Sequence, residues 1–241
     1  PMGGRLLKRW LLLPLIDKKQ IEQRQSVVGY FIENQDIADS IICELKQISD
    51  LERLISKVTV NKVSPRELMQ LARALERTSV VKDILSNSEN SILQDWAASI
   101  DPCNVIMQKI FDSLIDDPPA TTTKGSIISK GVSEELDELR NISFEGKDYL
   151  VGIQQREAAR TGIPSLKIGF NNVFGYYLEV TNSHKNKVPD DWTRKQTLTN
   201  AERYITAELK TYEEKILGAE EKILSLELEL FQNLIVSTLE Y

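Results

Sequence analysis

Residues 165–219 read SLKIGFNNVFGYYLEVTNSHKNKVPDDWTRKQTLTNAERYITAELKTYEEKILGA, and two structural periods meet inside this stretch. Residues 166–170 alternate apolar with polar or small residues, and β-branched and aromatic residues resume over residues 173–180. This alternation predicts a β-hairpin with its turn at Asn171-Asn172. From Ile205 onward the apolar spacing alternates between four and three residues, which predicts a long helix with a heptad seam. We therefore expect a small β unit at the base of a long helix.

The seam of this helix is apolar, and glutamate and lysine occupy its other faces. Its members are Ile205, Leu209, Tyr212, Ile216, Ala219, Ile223, Leu226 and Leu230. Thr199-Asn200-Ala201-Glu202 has the form of a capping box, which predicts that the helix begins at Asn200. A second helical pattern covers residues 133–161, with Gly146 inside it as an expected kink or frayed turn. The two helices bracket the β segment, and the simplest arrangement is an antiparallel pair with the β unit at its tip.

The first half of the chain has helical periodicity almost throughout. Ser64-Pro65-Arg66-Glu67 is a strong helix start, with an N-cap serine, a proline in the first turn and a glutamate that completes a capping box. A loop rich in proline, threonine, glycine and serine follows over residues 116–131. The predicted fold is mainly α, with a helical core, long antiparallel helices and a small β-rich insertion at their tip.

Charge is unevenly distributed along the chain. The whole chain of 241 residues has a net charge of −6, so it is not a basic nucleic-acid binder overall. Residues 163–206, however, contain six basic and four acidic residues, a local charge of +2. A locally basic segment on an acidic body favours contact with a polyanion at that one place.

Several function classes are disfavoured by composition. The chain has one histidine, His184, and two cysteines without zinc-site spacing, which argues against a metal site or a histidine-based catalytic triad. Cys43 and Cys103 lie in apolar helical patterns, which predicts buried free thiols in a reducing compartment. No apolar run approaches the length of a membrane span.

Six motifs of this chain recur together in one protein family. They read FGYYLEV (174–180), VPDD (188–191), RKQTLTNAERYI (194–205), PMGGRLLKRWL (1–11), DLERL (50–54) and EELDELR (134–140). On these motifs the chain resembles the MutS family of DNA mismatch repair proteins, and its bacterial members more than the eukaryotic ones. The resemblance covers essentially the whole chain, and residues 163–206 distinguish it from the related family that lacks the β insertion.

The resemblance implies a division into three segments. Residues 1–160 resemble a helical core with the first lever helix, residues 161–204 a clamp domain, and residues 205–241 the second lever helix, which returns to the core. The family's ATPase phosphate loop, Gly-x-x-x-x-Gly-Lys-Ser/Thr, has no counterpart in this sequence. The family's amino-terminal mismatch-reading domain, with its Phe-x-Glu wedge, is also expected to be absent. We expect a fragment that is not itself an enzyme and holds no cofactor, whereas its parent protein is expected to be a DNA-dependent ATPase that uses ATP and Mg²⁺.

The same resemblance implies the partners. They are double-stranded DNA, mismatched duplex through the full protein, a second copy in a homodimer, and downstream mismatch repair proteins. A cytoplasmic location without membrane contact is implied as well. The lever helices are expected to couple the clamp to the ATPase domain.

The clamp of this family grips the DNA backbone without reading base sequence, and the residues here suit that role. Cations, hydroxyls, amides and the free N–H groups of a helix start all bind phosphate well. The candidates lie in a polar loop or near the predicted helix start; they are Lys185, Lys187, Arg194, Lys195, Thr197 and Asn200.

Each candidate also has a structural interpretation. Lys185 and Lys187 fit solvated loop lysines, the pair Arg194-Lys195 fits ion pairs with Asp190 and Asp191, and Asn200 fits a helix cap. For the chain as a whole, the alternative function is a structural coiled-coil scaffold that does not bind DNA. The heptads and the acidic body fit a scaffold, but the basic insertion and the motif match do not.

Overall fold

The computed structural model describes residues 2–123, 125–171, 173 and 175–241, and it divides into two compact units. The first unit comprises Pro1–Val132 and Leu228–Tyr241, and the second comprises Ser133–Glu227. Asn172 and Phe174, which belong to the predicted turn and to the motif after it, lie outside the described residues. The predicted boundaries of the clamp, 161–204, stay a prediction.

The first unit is helical, as the periodicity of the sequence predicts. Its helices are α1 (Met2–Leu12), α2 (Lys18–Glu33), α3 (Gln35–Gln47), α4 (Leu51–Thr59), α5 (Pro65–Ser86), α6 (Ser91–Ser99) and α7 (Asn104–Ser113). One core cluster joins α2, α3, α5 and α6, and it contains the buried side chains Val27, Ile41, Leu85 and Leu93. The predicted start of α5 is confirmed, because the backbone N–H of Glu67 donates to Oγ of Ser64 at 3.3 Å while Glu67 accepts from the Ser64 N–H at 3.1 Å.

The second unit combines two helices with one antiparallel sheet. Its elements are α8 (Glu134–Thr161), β1 (Lys167–Asn171), β2 (Gly175–Thr181), a 3-10 helix (Asn182–Lys187), β3 (Thr193–Thr197), β4 (Ala201–Ile205) and the start of α9 (Ala207–Leu239). The strand order is β1-β2-β4-β3, so β3 is an edge strand. The predicted hairpin is confirmed by the β1–β2 pairing, in which Ile168 lies opposite Leu178.

Within the second unit, α8 and the first part of α9 run antiparallel. Arg140 near the start of α8 donates to Glu227 at 2.6 Å, and Lys147 pairs with Glu220 at 2.6 Å. Further along α8 the Tyr149 ring stacks on Tyr212, with centroids 3.8 Å apart. Because contacts move backward along α9 as they move forward along α8, the two helices form the antiparallel pair that the sequence predicts.

The sheet packs where α8 ends and α9 begins. One core cluster joins Ile153 of α8, Leu178 of β2 and Leu209 of α9, each 1% exposed or less. The heptad seam is confirmed at Leu209 and Ile216, which are fully buried, whereas its predicted first member, Ile205, lies in strand β4. Gly146 is buried inside α8, and α8 is helical on both sides of it, so of the kink or frayed turn predicted there the frayed turn is wrong, and the kink stays a prediction. The β unit therefore lies at one end of the helix pair.

The predicted start of the second long helix is wrong. Residues 201–205 form strand β4 instead, and α9 begins at Ala207. The hydroxyl of Thr206 accepts from the Leu209 N–H at 3.1 Å, and it thereby takes the capping role that the sequence assigned to Thr199. Tyr204 pairs with Leu178 of β2, which shows that ladder pairing with a neighbouring strand outweighs the local helix signal.

Candidate nucleic-acid interface

The register of β2 and β4 places two polar side chains on the buried face of the sheet. Leu178 and Val180 lie opposite Tyr204 and Glu202, so all four side chains share one face. Leu178 and Val180 are fully buried, and this face packs into the core of the second unit. Glu202 therefore projects from an apolar surface at its border with the edge strand β3.

Two of the predicted DNA-binding cations contact this one carboxylate. Nζ of Lys185, from the 3-10 helix, lies 3.0 Å from Oε1 of Glu202, and Nη1 of Arg194, from β3, lies 3.4 Å from the same oxygen. The Tyr204 hydroxyl donates to the other carboxylate oxygen. Only 6% of the Glu202 side chain is exposed, against 41% for Lys185 and 62% for Arg194. We call Lys185, Arg194, Glu202 and Tyr204 the Glu202 cluster.

Hydrogen bonding fixes the ionisation state of the cluster. The bond from Tyr204, followed by the bond from Lys185, lowers the pKa of Glu202 below its usual value. Burial, followed by the bond to Glu202, raises the pKa of Tyr204 to about 12. At neutral pH Glu202 is therefore a carboxylate and Tyr204 a neutral phenol.

Lys187 contacts the end of a helix. Its Nζ donates to the carbonyl oxygen of Gly162 at 2.9 Å, and Gly162 caps the C-terminus of α8 in the left-handed region, with φ of 63°. A cation is favourable at this position because the helix dipole is negative there. An ammonium group has three donors, so Lys187, which is exposed, keeps donors for a further acceptor.

The other three candidates lie along β3 and the turn that follows it. Lys195 is exposed at a bulge between Arg194 and Gln196, and it makes no ion pair among the described residues. The Thr197 side chain is exposed on the same strand. Asn200 is exposed in the turn between β3 and β4, where its carbonyl oxygen accepts from the Asn182 N–H at 3.1 Å. Asn200 is therefore not at a helix start, so the helix N-terminus that was predicted to offer N–H groups to phosphate does not lie there.

The opposite face of the sheet carries a separate polar network around Arg203. Arg203 donates to Glu179 of β2 at 3.1 Å and to Gln196 of β3 at 2.8 Å, and its guanidinium lies 4.2 Å from the centroid of the Tyr177 ring. This network ties three elements of the sheet together. It contains none of the predicted DNA-binding residues.

Sequence reasoning missed Glu202 as the partner of the cations. An ion pair for Arg194 is indeed present, but with Glu202 instead of Asp190 or Asp191, and Asp191 pairs with Arg160 at 3.0 Å. The available signal was the alternation in residues 201–205, which places Glu202 and Tyr204 on one face once this segment is read as a strand.

Three other expectations from the sequence concern the cysteines, metal ligands and membrane-spanning helices. Both cysteines are free, but Cys43 is exposed and Cys103 is partly exposed, so the predicted burial is wrong for both. Within the described part of the chain, no group of three or more histidine, cysteine or acidic side chains is arranged to hold a metal ion. None of the helices in the same part is long and apolar enough to cross a membrane.

Comparison with known proteins gives one family. Residues 131–222 match the model described as MutS family domain IV. The chain is 55% identical over 241 residues to the DNA mismatch repair protein MutS of Parabacteroides distasonis, and 54% identical over 241 residues to that of Bacteroides thetaiotaomicron. A third relative, the MutS of Flavobacterium johnsoniae, is 55% identical over 235 residues. The chain spans 28% of the length of the first two relatives and 27% of the third.

Proposed function

Because this chain belongs to the MutS family of DNA mismatch repair proteins, we propose that its second unit binds the phosphate backbone of double-stranded DNA. One observation carries the proposal: cations from two separate elements, Lys185 and Arg194, converge on a single carboxylate oxygen. The carboxylate that both cations contact is an oxyanion, and the phosphate groups of DNA are oxyanions too. Lys195 and Thr197 extend the same surface along the edge strand.

The chemistry of this surface supports binding without sequence reading. Lysine and threonine contact phosphate oxygens and position a protein on the duplex, whereas sequence is read at base edges. The Glu202 cluster presents a carboxylate and cations at its border, and neither the 3-10 helix of six residues nor the short edge strand is a groove-reading element of usual length. Binding is therefore expected to be weak, sensitive to salt and alike for different sequences.

We also propose that α8 and the antiparallel part of α9 act as a lever. Charged contacts at Arg140–Glu227 and Lys147–Glu220, with the Tyr149–Tyr212 stack, join the two helices at several levels. Such a pair moves as one body, so it can carry a displacement to the sheet at its end. The displacement is proposed to come from an ATPase domain in the longer protein.

The remaining roles belong to the longer protein and stay proposals. Its relatives are named for DNA mismatch repair, and they are more than three times as long as the chain. We propose that the longer protein binds ATP and Mg²⁺ outside this segment, recognises mismatched duplex, forms a homodimer, and meets downstream repair proteins in the cytoplasm.

A titration of the 241-residue chain with duplex DNA tests the proposal. Fluorescence anisotropy is measured with matched and mismatched duplexes of equal length, at several salt concentrations. We expect the same weak affinity for both duplexes and a linear fall of log K with log salt, with a slope of about −0.9 for each phosphate contacted. Affinity that does not change with salt, or that depends on base sequence, contradicts phosphate binding.

Two double variants with equal charge loss localise the contact. The variant Arg194→Ala/Lys195→Ala removes two cations from β3, and Lys18→Ala/Lys19→Ala removes two from the exposed start of α2. We expect the β3 variant to weaken binding to both duplexes about 10-fold and to reduce the salt slope by about 2, whereas the α2 variant has little effect. Failure of the unmodified chain to bind any duplex at low salt favours the scaffold function instead.

A further inference from the structure

The Glu202 cluster places a negative charge where the proposed DNA contact needs a positive surface. Both oxygens of Glu202 have partners, since one accepts from Lys185 and Arg194 and the other from Tyr204. The carboxylate lies within the unit, and its cationic partners are the exposed members of the cluster. Any phosphate that approaches from solvent therefore meets cations that already have an anion.

We propose that Glu202 is an internal competitor of DNA phosphate, which holds Lys185 and Arg194 until a duplex takes them over. This inference rests on the proposed function, and it adds a role for a residue that does not itself touch DNA. Glu202 is thus a positioning residue, which sets how much of the positive charge of this surface a duplex can use.

The anchoring of Glu202 explains why the cations must move and the carboxylate cannot. Glu202 is held by the hydroxyl of Tyr204, a residue that is 6% exposed and packs in the core beside Trp192, with ring centroids 6.0 Å apart. Lys185 and Arg194, by contrast, have long side chains with exposed ends. A rigid acceptor with two flexible donors lets the donors exchange one oxyanion for another.

The exchange makes DNA contact weaker than the number of cations suggests. Each cation that turns to a phosphate gives up part of its attraction to Glu202, so the net gain is the difference between two similar interactions. Arginine has five N–H donors and lysine has three, so each can also bridge carboxylate and phosphate during the exchange. A backbone contact of this kind is easily broken and remade, which suits movement along a duplex.

The test compares two substitutions that change the charge equally. Glu202→Gln removes the competing charge and keeps the size and the acceptor for Tyr204, whereas Glu179→Gln removes a charge on the opposite face of the same sheet, beside Arg203. Duplex affinity of the 241-residue chain is measured for both against the salt concentration. We expect Glu202→Gln to bind duplex about 3- to 10-fold more tightly at low salt, because its two cations no longer have to give up modest ion pairs with residue 202. Its salt slope should steepen by about 1 to 2.

The gain has to depend on the two cations. In the triple variant Glu202→Gln/Lys185→Ala/Arg194→Ala the gain should vanish, and Glu179→Gln should give less than half of it. Unchanged or weaker binding by a folded Glu202→Gln variant overturns the inference, because the carboxylate would then be neutral to binding or would orient the cations. That result is distinct from failure of the proposed function, in which the unmodified chain does not bind duplex at all.

A measurement on the unmodified chain keeps the inference testable if the Gln variant does not fold. The side-chain carboxyl ¹³C resonance of Glu202 is followed by NMR as duplex is added. We expect it to shift along the binding curve as Lys185 and Arg194 leave, while the resonance of Glu179 stays in place. A Glu202 resonance that does not move at saturation refutes the exchange.

Discussion

Alanine in place of Gly146 on α8 is expected to destabilise the second unit, although this exchange usually stabilises a helix. A Cβ atom at position 146 would lie 2.6 Å from Cγ1 of Ile216 on α9 and 3.1 Å from its Cδ1. Ile216 is fully buried, and its Cγ1 is close to the backbone, so the side chain cannot move away at low cost. The two helices have to separate locally.

The expected magnitude follows from two opposing terms. Alanine is about 1 kcal/mol more favourable than glycine inside a helix. Over-packing of a close-packed contact costs about 1–3 kcal/mol. We therefore expect a net loss of about 0–2 kcal/mol for Gly146→Ala. At Gly152, which is exposed on the same helix and has no atom within 4 Å of a Cβ, we expect only the gain of about 1 kcal/mol.

The difference between the two variants isolates the packing term. Hydrogen exchange of the Leu150 and Ile153 amides reports the opening free energy of α8 directly, without interference from the first unit. The exchange-derived free energies should differ by about 1–3 kcal/mol, with Gly152→Ala the more stable variant. If both alanines stabilise α8 equally, the close contact between α8 and α9 at this level is refuted.

Three further predictions concern the second unit. Gly175→Ala should lower its unfolding free energy by about 1–3 kcal/mol in urea denaturation, because φ is +74° there, a backbone conformation that alanine adopts only with strain. Arg140→Met should lower the unfolding free energy by about 2–4 kcal/mol in the same assay, because it leaves the buried Glu227, 0% exposed, without the charge partner that lies 2.6 Å away. A decrease below about 1 kcal/mol contradicts this. Tyr204 should titrate near pH 12 in ultraviolet difference spectra. Since its folded pKa lies above the usual 10.0, its contribution to stability should be lost as the pH rises from 10 to 12. Titration of Tyr204 at pH 10 in the folded chain contradicts the Glu202 cluster.

The sequence predicts the hairpin and the helix pair because both depend on local patterns. Alternation over residues 166–170 is a period-two signal, and the spacing of Leu209, Tyr212 and Ile216 is a heptad signal. The heptad signal survives folding because the apolar side of the helix is also its buried side, with Leu209 and Ile216 fully covered. In the hairpin segment Leu166 is buried, whereas Phe170 is 47% exposed. Periodicity therefore suffices where one side of an element packs and the other is solvated.

Strands β3 and β4 cannot be predicted from local patterns in this way, for two physical reasons. Strand β4 begins with alanine and glutamate after a sequence that mimics a helix cap, and only its pairing with β2 makes it extended. Strand β3 reads TRKQT and has no apolar residue, because an edge strand can expose most of its side chains. Strand β4 is extended because it pairs with β2, which lies further back in the sequence, and β3 then pairs with β4 across a short turn.

The predicted candidate residues illustrate the same limit for electrostatics. A count of residues assigns +2 to the segment 163–206, and it treats all cations as equal. The structure instead separates Lys195, which makes no ion pair among the described residues, from Lys185 and Arg194, which share Glu202. The attraction of a surface for a polyanion depends on which cations can reach the polyanion and on the ion pairs that those cations have to give up. Substitution of Lys195 should therefore cost more affinity per charge than substitution of Lys185, and equal losses from the two single alanine variants contradict that ranking.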